Sequence, residues 1–135
     1  MRPLFLLDTD ISIYLLNESL PAVTARLAGL PVGQVGTTAI TAAELRFGAL
    51  NSGRPQQNLA RVEIFLAPLV QVPFDAQAAV HFGNLKQLLT SQGRLIGTMD
   101  LLIASCALAV GATLVTNNVR EFSRVPALSV ENWAS

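Results

Sequence analysis

The chain is short of charge. Its 135 residues hold nine basic side chains, nine acidic ones and a single His, so charged residues make up 13% and the formal net charge is zero. An ordinary globular domain has about 25% charged residues. Hydrophobic residues reach 51%, and mean hydropathy is +0.47. This balance excludes intrinsic disorder, which needs low hydrophobicity and high net charge. It also excludes a strongly basic coat for nucleic acid. Cys106 is the one cysteine, which excludes an internal disulfide framework and a cysteine-based zinc site. One free thiol fits a reducing compartment, and a cytoplasmic location is expected. Lysine is almost missing, with Lys86 alone among the basic residues that are otherwise Arg. His81 stands in a predicted helix without a companion motif. A Ser-His-Asp or Cys-His site would have to use it, so a structural role is expected.

Membrane segments are not expected either. The run from Met1 to Leu7 meets Asp8 too early to serve as a signal peptide and has no cleavage site. Leu101 to Val119 carries no charge and is about as long as a membrane span. Gly111 interrupts it, Asn117 and Asn118 sit near its end, and Asp100 stands at its mouth. A buried helix followed by a buried strand accounts for it better.

What is there alternates between strand and helix. Short apolar runs at Leu4–Leu7, Thr37–Ile40, Leu69–Val72 and Thr113–Thr116 read as strands, with Leu128–Val130 as a last edge strand. Between them lie helical stretches. One spans Ile11–Leu16, one runs from Pro21 to Gly29, and one is capped by Thr41 and reaches Leu50, with Glu44 at capping-box spacing. Others run from Pro55 to Leu66, from the cap Asp75 to Ser91, and from Met99 to Val110 with Gly111 as its C-terminal cap. Glu121-Phe122 falls in a helical turn. No repeat or linker divides residues 1–135, so one α/β domain is expected, with a mainly parallel sheet of four to five strands.

In an open parallel sheet, ligands bind beyond the carboxyl ends of the strands. Asp8 follows the first strand, Glu44 lies one helical turn past the second, Asp100 opens the helix leading to the fourth, and Asn118 lies just past that strand. These side chains are expected to converge. Three carboxylates at one place repel and raise one another's pKa unless a cation compensates. Carboxylate, carbonyl and water oxygens suit Mg²⁺ or Mn²⁺. A water on such an ion can be deprotonated to attack a phosphodiester, with no need of His, Cys or Lys.

The motifs Leu6-Leu7-Asp8-Thr9-Asp10-Ile11, Thr41-Ala42-Ala43-Glu44-Leu45-Arg46-Phe47-Gly48, Asp100-Leu101-Leu102-Ile103-Ala104 and Leu114-Val115-Thr116-Asn117-Asn118 with Glu121-Phe122 together resemble a PIN-domain ribonuclease. More narrowly, they resemble the VapC toxins of bacterial toxin–antitoxin modules. The resemblance implies a three-layer α/β/α fold and a Mg²⁺- or Mn²⁺-dependent endoribonuclease, with tRNA a reasonable substrate. It implies a homodimer held inactive by a VapB-type antitoxin, which alone would contact operator DNA. It assigns metal-binding and catalytic roles to Asp8, Glu44 and Asp100. The fourth acidic position of the family is held here by Asn118, and Glu121 is the carboxylate one turn later. Thr9, Asp10, Arg46 and Thr116 are supporting candidates. Asp10 is expected to cap a helix or stand behind the metal ligands, and Arg46 to contact RNA phosphate or pair with a site acid. Arg120 and Arg124 are plausible phosphate contacts.

Two other readings compete. Asp8-Thr9-Asp10 also resembles the nucleophile motif of haloacid dehalogenase-type phosphatases, which want a lysine near the phosphate. A non-catalytic interaction module would equally explain a surface with few charges.

Overall fold

The first apolar run becomes strand β1 (Phe5–Leu7) at the centre of a five-stranded sheet in the computed structural model, which describes residues 4–134. The remaining strands are β2 (Val35–Thr38), β3 (Val70–Val72), β4 (Thr113–Val115) and β5 (Ser129–Glu131), in the order β3-β2-β1-β4-β5. Every neighbouring pair is parallel, with Leu6 opposite Gly36 on one side and Leu114 on the other. Parallel strands need long crossovers, and seven helices lie between the strands: α1 (Thr9–Leu16), α2 (Pro21–Ala28), α3 (Ala39–Leu50), α4 (Pro55–Leu66), α5 (Ala76–Ser91), α6 (Thr98–Val110) and α7 (Val119–Phe122).

Alternation along the strands divides the core into layers, because successive side chains point to opposite faces. Leu6 and Leu114 are fully buried on one face with Val72, Leu89 of α5, Ile103 of α6 and Phe122 of α7. Leu7, Val35 and Val115 face the other way, onto Ile11 of α1, Val23 of α2 and Trp133. A third cluster holds α3 against α4 through Ala42, Leu45, Val62 and Leu66. Each fully buried Leu or Ile contributes about 1.5–3 kcal/mol, so the strands are fixed from both sides.

The uncharged run Leu101–Val119 resolves as anticipated. α6 ends at Gly111, whose φ of +67° suits glycine, and the chain enters β4 two residues later. Among the described residues no helix is long and apolar enough to cross a membrane. The N-terminal run expected not to be a signal peptide includes Met1–Pro3, which lie outside the described residues.

Three local expectations need correction. The second strand is Val35–Thr38, two residues earlier than Thr37–Ile40. Gly36 explains part of this, because a Cβ there would lie 2.4 Å from the carbonyl oxygen of Val70, so only glycine lets β2 and β3 approach. The cap of α3 is Thr38, whose hydroxyl accepts the N–H of Thr41 at 3.1 Å. Thr41 is therefore inside the helix, and Glu44 is no capping-box partner. The last strand is Ser129–Glu131, one residue later than expected.

Candidate active site

Asp8 stands where β1 turns directly into α1. Its backbone is extended, and its Oδ1 accepts the N–H of Ile11 at 2.9 Å, capping the helix. Its Oδ2 accepts the hydroxyl of Thr116 at 2.5 Å, from the end of the adjacent strand β4. The residue is 3% exposed, and both donors are neutral. Burial pushes its carboxyl up to about 6; the bonds from Thr116 and Ile11 pull the other way, and the charges of Asp10 and Glu44 add to the rise. Thr116 is itself held twice. Its N–H donates to the carbonyl of Glu131 in β5 at 3.0 Å, and its hydroxyl oxygen accepts the N–H of Asn118 at 2.9 Å.

Asp100, in the first turn of α6, meets Glu121 of α7. Burial raises the Asp100 carboxyl to about 7, followed by the charge and hydrogen bond of Glu121 and then the charges of Asp8 and Asp10. Burial also acts to raise Glu121, but it is outweighed by the Gly97 N–H, the bonds to Asp100 and Asn118, and the charge of Arg124, so Glu121 lies below its ordinary value. Within this pair Asp100 is thus held up and Glu121 held down. Glu121 is fixed by two donors, Gly97 N–H to Oε1 at 3.0 Å and Asn118 Nδ2 to Oε2 at 2.5 Å.

Glu44 reaches the same end of the sheet from α3. The Thr9 hydroxyl donates to its Oε1 at 2.7 Å, and Thr9 and Thr41 hydroxyl oxygens lie 3.2 Å apart. Thr41 was not among the sequence candidates, yet its spacing of three from Glu44 puts both on one helix face. Gly97 was missed as well, though it stands three residues before Asp100. Asp10 is exposed on α1 and acts on Asp8 and Asp100 through its charge. Arg120 and Arg124 line a polar cleft of about 300 Å³ with Asn118 and Glu121.

Arg46 does not join the acids. Its Nη2 lies 2.7 Å from Glu63 Oε1, and its Nε also bonds that carboxylate, tying α3 to α4. The expectation that it pairs with a site acid fails because residues two apart on a helix diverge by about 200°. Lys86 lies over the Phe82 ring on α5, and the charges that act on Asp8 are acids, so nothing here supplies the lysine of a phosphatase. Cys106 is buried and its thiol is pushed up to about 11, first by burial, which leaves it inert. Trp133 is buried against Phe5, with the Arg26 guanidinium over its ring.

The donor set suits a hard cation. It consists of oxygen only, and among the described residues the ion pairs are Arg26–Glu131 and Arg46–Glu63, so no base within 4 Å neutralises Asp8, Glu44, Asp100 or Glu121. A buried carboxylate without a counter-charge is costly, and a divalent ion with carboxylate ligands removes that cost. Among the described residues no three acids already stand close enough to form a finished cage. Beside the acids runs an apolar groove of about 680 Å³ lined by Ile13, Ile40, Phe47, Met99 and Leu102 together with Glu44.

The PIN domain family model matches residues 5–128. Ribonuclease VapC2 of Haemophilus influenzae is 42% identical over 129 residues, covering 96% of this chain and 97% of its own. The tRNA(fMet)-specific endonuclease VapC of Shigella flexneri is 38% identical over 96% of this chain and 98% of its own. Among solved structures, VapBC2 from Rickettsia felis bound to a DNA fragment from its promoter superposes with a TM-score of 0.90 at 38% identity, covering 96% of this chain and 98% of that one. With the acids of its four motifs gathered at one end of a parallel sheet, the chain belongs to the PIN-domain family and, within it, to the VapC group.

Proposed function

We propose that residues 1–135 form a single nuclease domain, an endoribonuclease toxin that hydrolyses RNA phosphodiester bonds with Mg²⁺ or Mn²⁺. The observation that carries this is the buried, uncompensated carboxylate of Asp8 facing the Asp100–Glu121 pair. Asp8, Asp100 and Glu44 would hold the ion, with Glu121 as the fourth carboxylate in place of Asn118. When bound, such an ion offsets the acids, acidifies a water and stabilises the anionic transition state. The chain's own residues prepare that site. Thr116 and the Ile11 N–H orient Asp8, Thr9 orients Glu44, and Gly97 and Asn118 orient Glu121. Asp100 would ligate in its deprotonated form. Arg120 and Arg124 line the cleft next to Glu121 and suit RNA phosphates, since guanidinium groups match their geometry.

The Shigella flexneri relative is named for tRNA(fMet), so tRNA is the first substrate class to test. The Rickettsia felis relative was solved with its VapB partner on promoter DNA. By that likeness a VapB-type antitoxin neutralises this chain in the cytoplasm and mediates its only contact with operator DNA. Phe47 and Met99, 67% and 52% exposed beside the acids, favour a homodimer that covers them.

RNA cleavage by the purified protein is expected to need Mg²⁺ or Mn²⁺, to stop with EDTA, and to be lost in Asp8→Ala and Asp100→Asn. Robust cleavage in metal-free buffer overturns the proposal. A calorimetric metal titration with no binding would leave the interaction-module reading in its place, and a trapped aspartyl-phosphate at Asp8 would restore the phosphatase.

A further inference from the structure

We infer that Gly97 is a positioning and access residue of the acidic site: its N–H fixes Glu121, and its missing side chain keeps open the flank of Asp100 and Glu121 by which a hydrated divalent ion arrives. The inference rests on the metal reading above and adds a residue to it.

Gly97 is not glycine for its conformation. Its φ of −58° and ψ of 149° are open to any L-residue. It is the N-terminal cap of α6, yet no side chain caps that helix. Glycine is tolerated at such a position, but Ser, Asp and Asn serve at least as well and supply a hydrogen bond. What separates glycine from all of them is the space beside it. A Cβ at position 97 would meet two atoms within 4 Å, Asp100 Oδ2 at 3.7 Å and Glu121 Oε1 at 3.9 Å. Both belong to the carboxyl pair, and both distances are ordinary contacts that a folded chain accommodates. Gly97 is exposed, so that space opens to solvent.

A methyl group fits beside bare carboxyl oxygens. It does not fit as easily beside the same oxygens carrying an ion at about 2.0–2.6 Å and its waters. It also takes the place of water that solvates the charged form of the pair. A side chain at 97 therefore penalises the ion-bound state and spares the ion-free fold. The Gly97 N–H, which donates to Glu121 Oε1 at 3.0 Å, remains in any such variant except proline.

The test uses Gly97→Ala and Gly97→Ser, with Mn²⁺ titrated by calorimetry, RNA cleavage followed against Mn²⁺ concentration, and thermal melting in EDTA. The serine variant keeps a capping hydroxyl and carries the test if the alanine variant folds poorly. Both are expected to melt in EDTA near the wild type. Both are expected to lose about tenfold in Mn²⁺ affinity, the size usual for a residue just behind the ligands, with cleavage partly recovered at high Mn²⁺. Wild-type Mn²⁺ affinity in both variants overturns the inference, as does a fall in affinity matched by a fall in the EDTA melting temperature. Asp100→Asn is the control: if it binds Mn²⁺ as the wild type does, the metal reading itself has failed.

Discussion

Asn118 gives its side-chain amide to the carboxylate of Glu121, Nδ2 to Oε2 at 2.5 Å. The residue in the family's acidic position thus serves as a donor that holds the acid one turn later. Asn118→Asp would set carboxylate against carboxylate and raise the pKa of the group. The acid limb of the cleavage pH profile is expected to move to higher pH in that variant, with more Mn²⁺ needed for half-maximal rate. An unchanged profile would mean that Asn118 does not control Glu121.

Thr116 is the polar contact that most favours the charged form of Asp8. Thr116→Val removes a bond to a charged group, worth about 1.5–3 kcal/mol, and so lifts the Asp8 carboxyl further. The pH of half-maximal cleavage is expected to rise by about one unit or more, and Thr116→Ser to restore it. A pH–rate series on the three proteins decides this.

Asp8 and Asp100 sit at about 6 and about 7 against an ordinary 3.8, each first because of burial. Groups raised in the folded state bind more protons there than in the unfolded chain. Their stabilising effect is full below about pH 4 and is lost as pH rises through 6 to 7. The metal-free protein is expected to melt higher at pH 5 than at pH 8, with about 1.4 kcal/mol of the difference from Asp8, the part of its shift that falls between those two pH values. Saturating Mn²⁺ should cancel or reverse that order, and Asp8→Asn in EDTA should melt above the wild type at pH 8. Calorimetric melts at the two pH values provide the check.

Glu44 and Arg46 lie on the same helix but face different neighbours, Thr9 in one case and Glu63 in the other. Arg46→Ala is expected to leave cleavage within twofold of wild type, since its partner is the exposed Glu63 of α4, away from the acids. Glu44→Gln is expected to lower cleavage by about tenfold or more while melting almost unchanged, because Thr38 and not Glu44 secures the start of α3. Single-turnover rates with both variants separate the two sides of the helix.

Much of this was legible in the sequence where the signal is local. Asp75 capping α5, Pro55 opening α4 and Gly111 closing α6 each act within a turn of their own position. The start of α3 was misplaced because Thr38 and Thr41 are both competent caps. The choice depends on how Gly36 and Thr37 set β2 against β3, a contact between distant segments. The order of the acids along the chain was legible; the partner of Arg46 was not, because it follows from how α3 packs on α4. Gly97 left no mark in the sequence beyond its distance from Asp100, since its importance lies in an empty volume.

The bond between Thr116 and Asp8 joins residues 108 apart, and Thr116 is itself steadied by Glu131 at the far edge of the sheet. A chain emerging from the ribosome with its N-terminus first presents Asp8 well before Thr116 and Glu131. The Asp8 carboxylate therefore gains its hydroxyl partner only after β4 and β5 have entered the sheet.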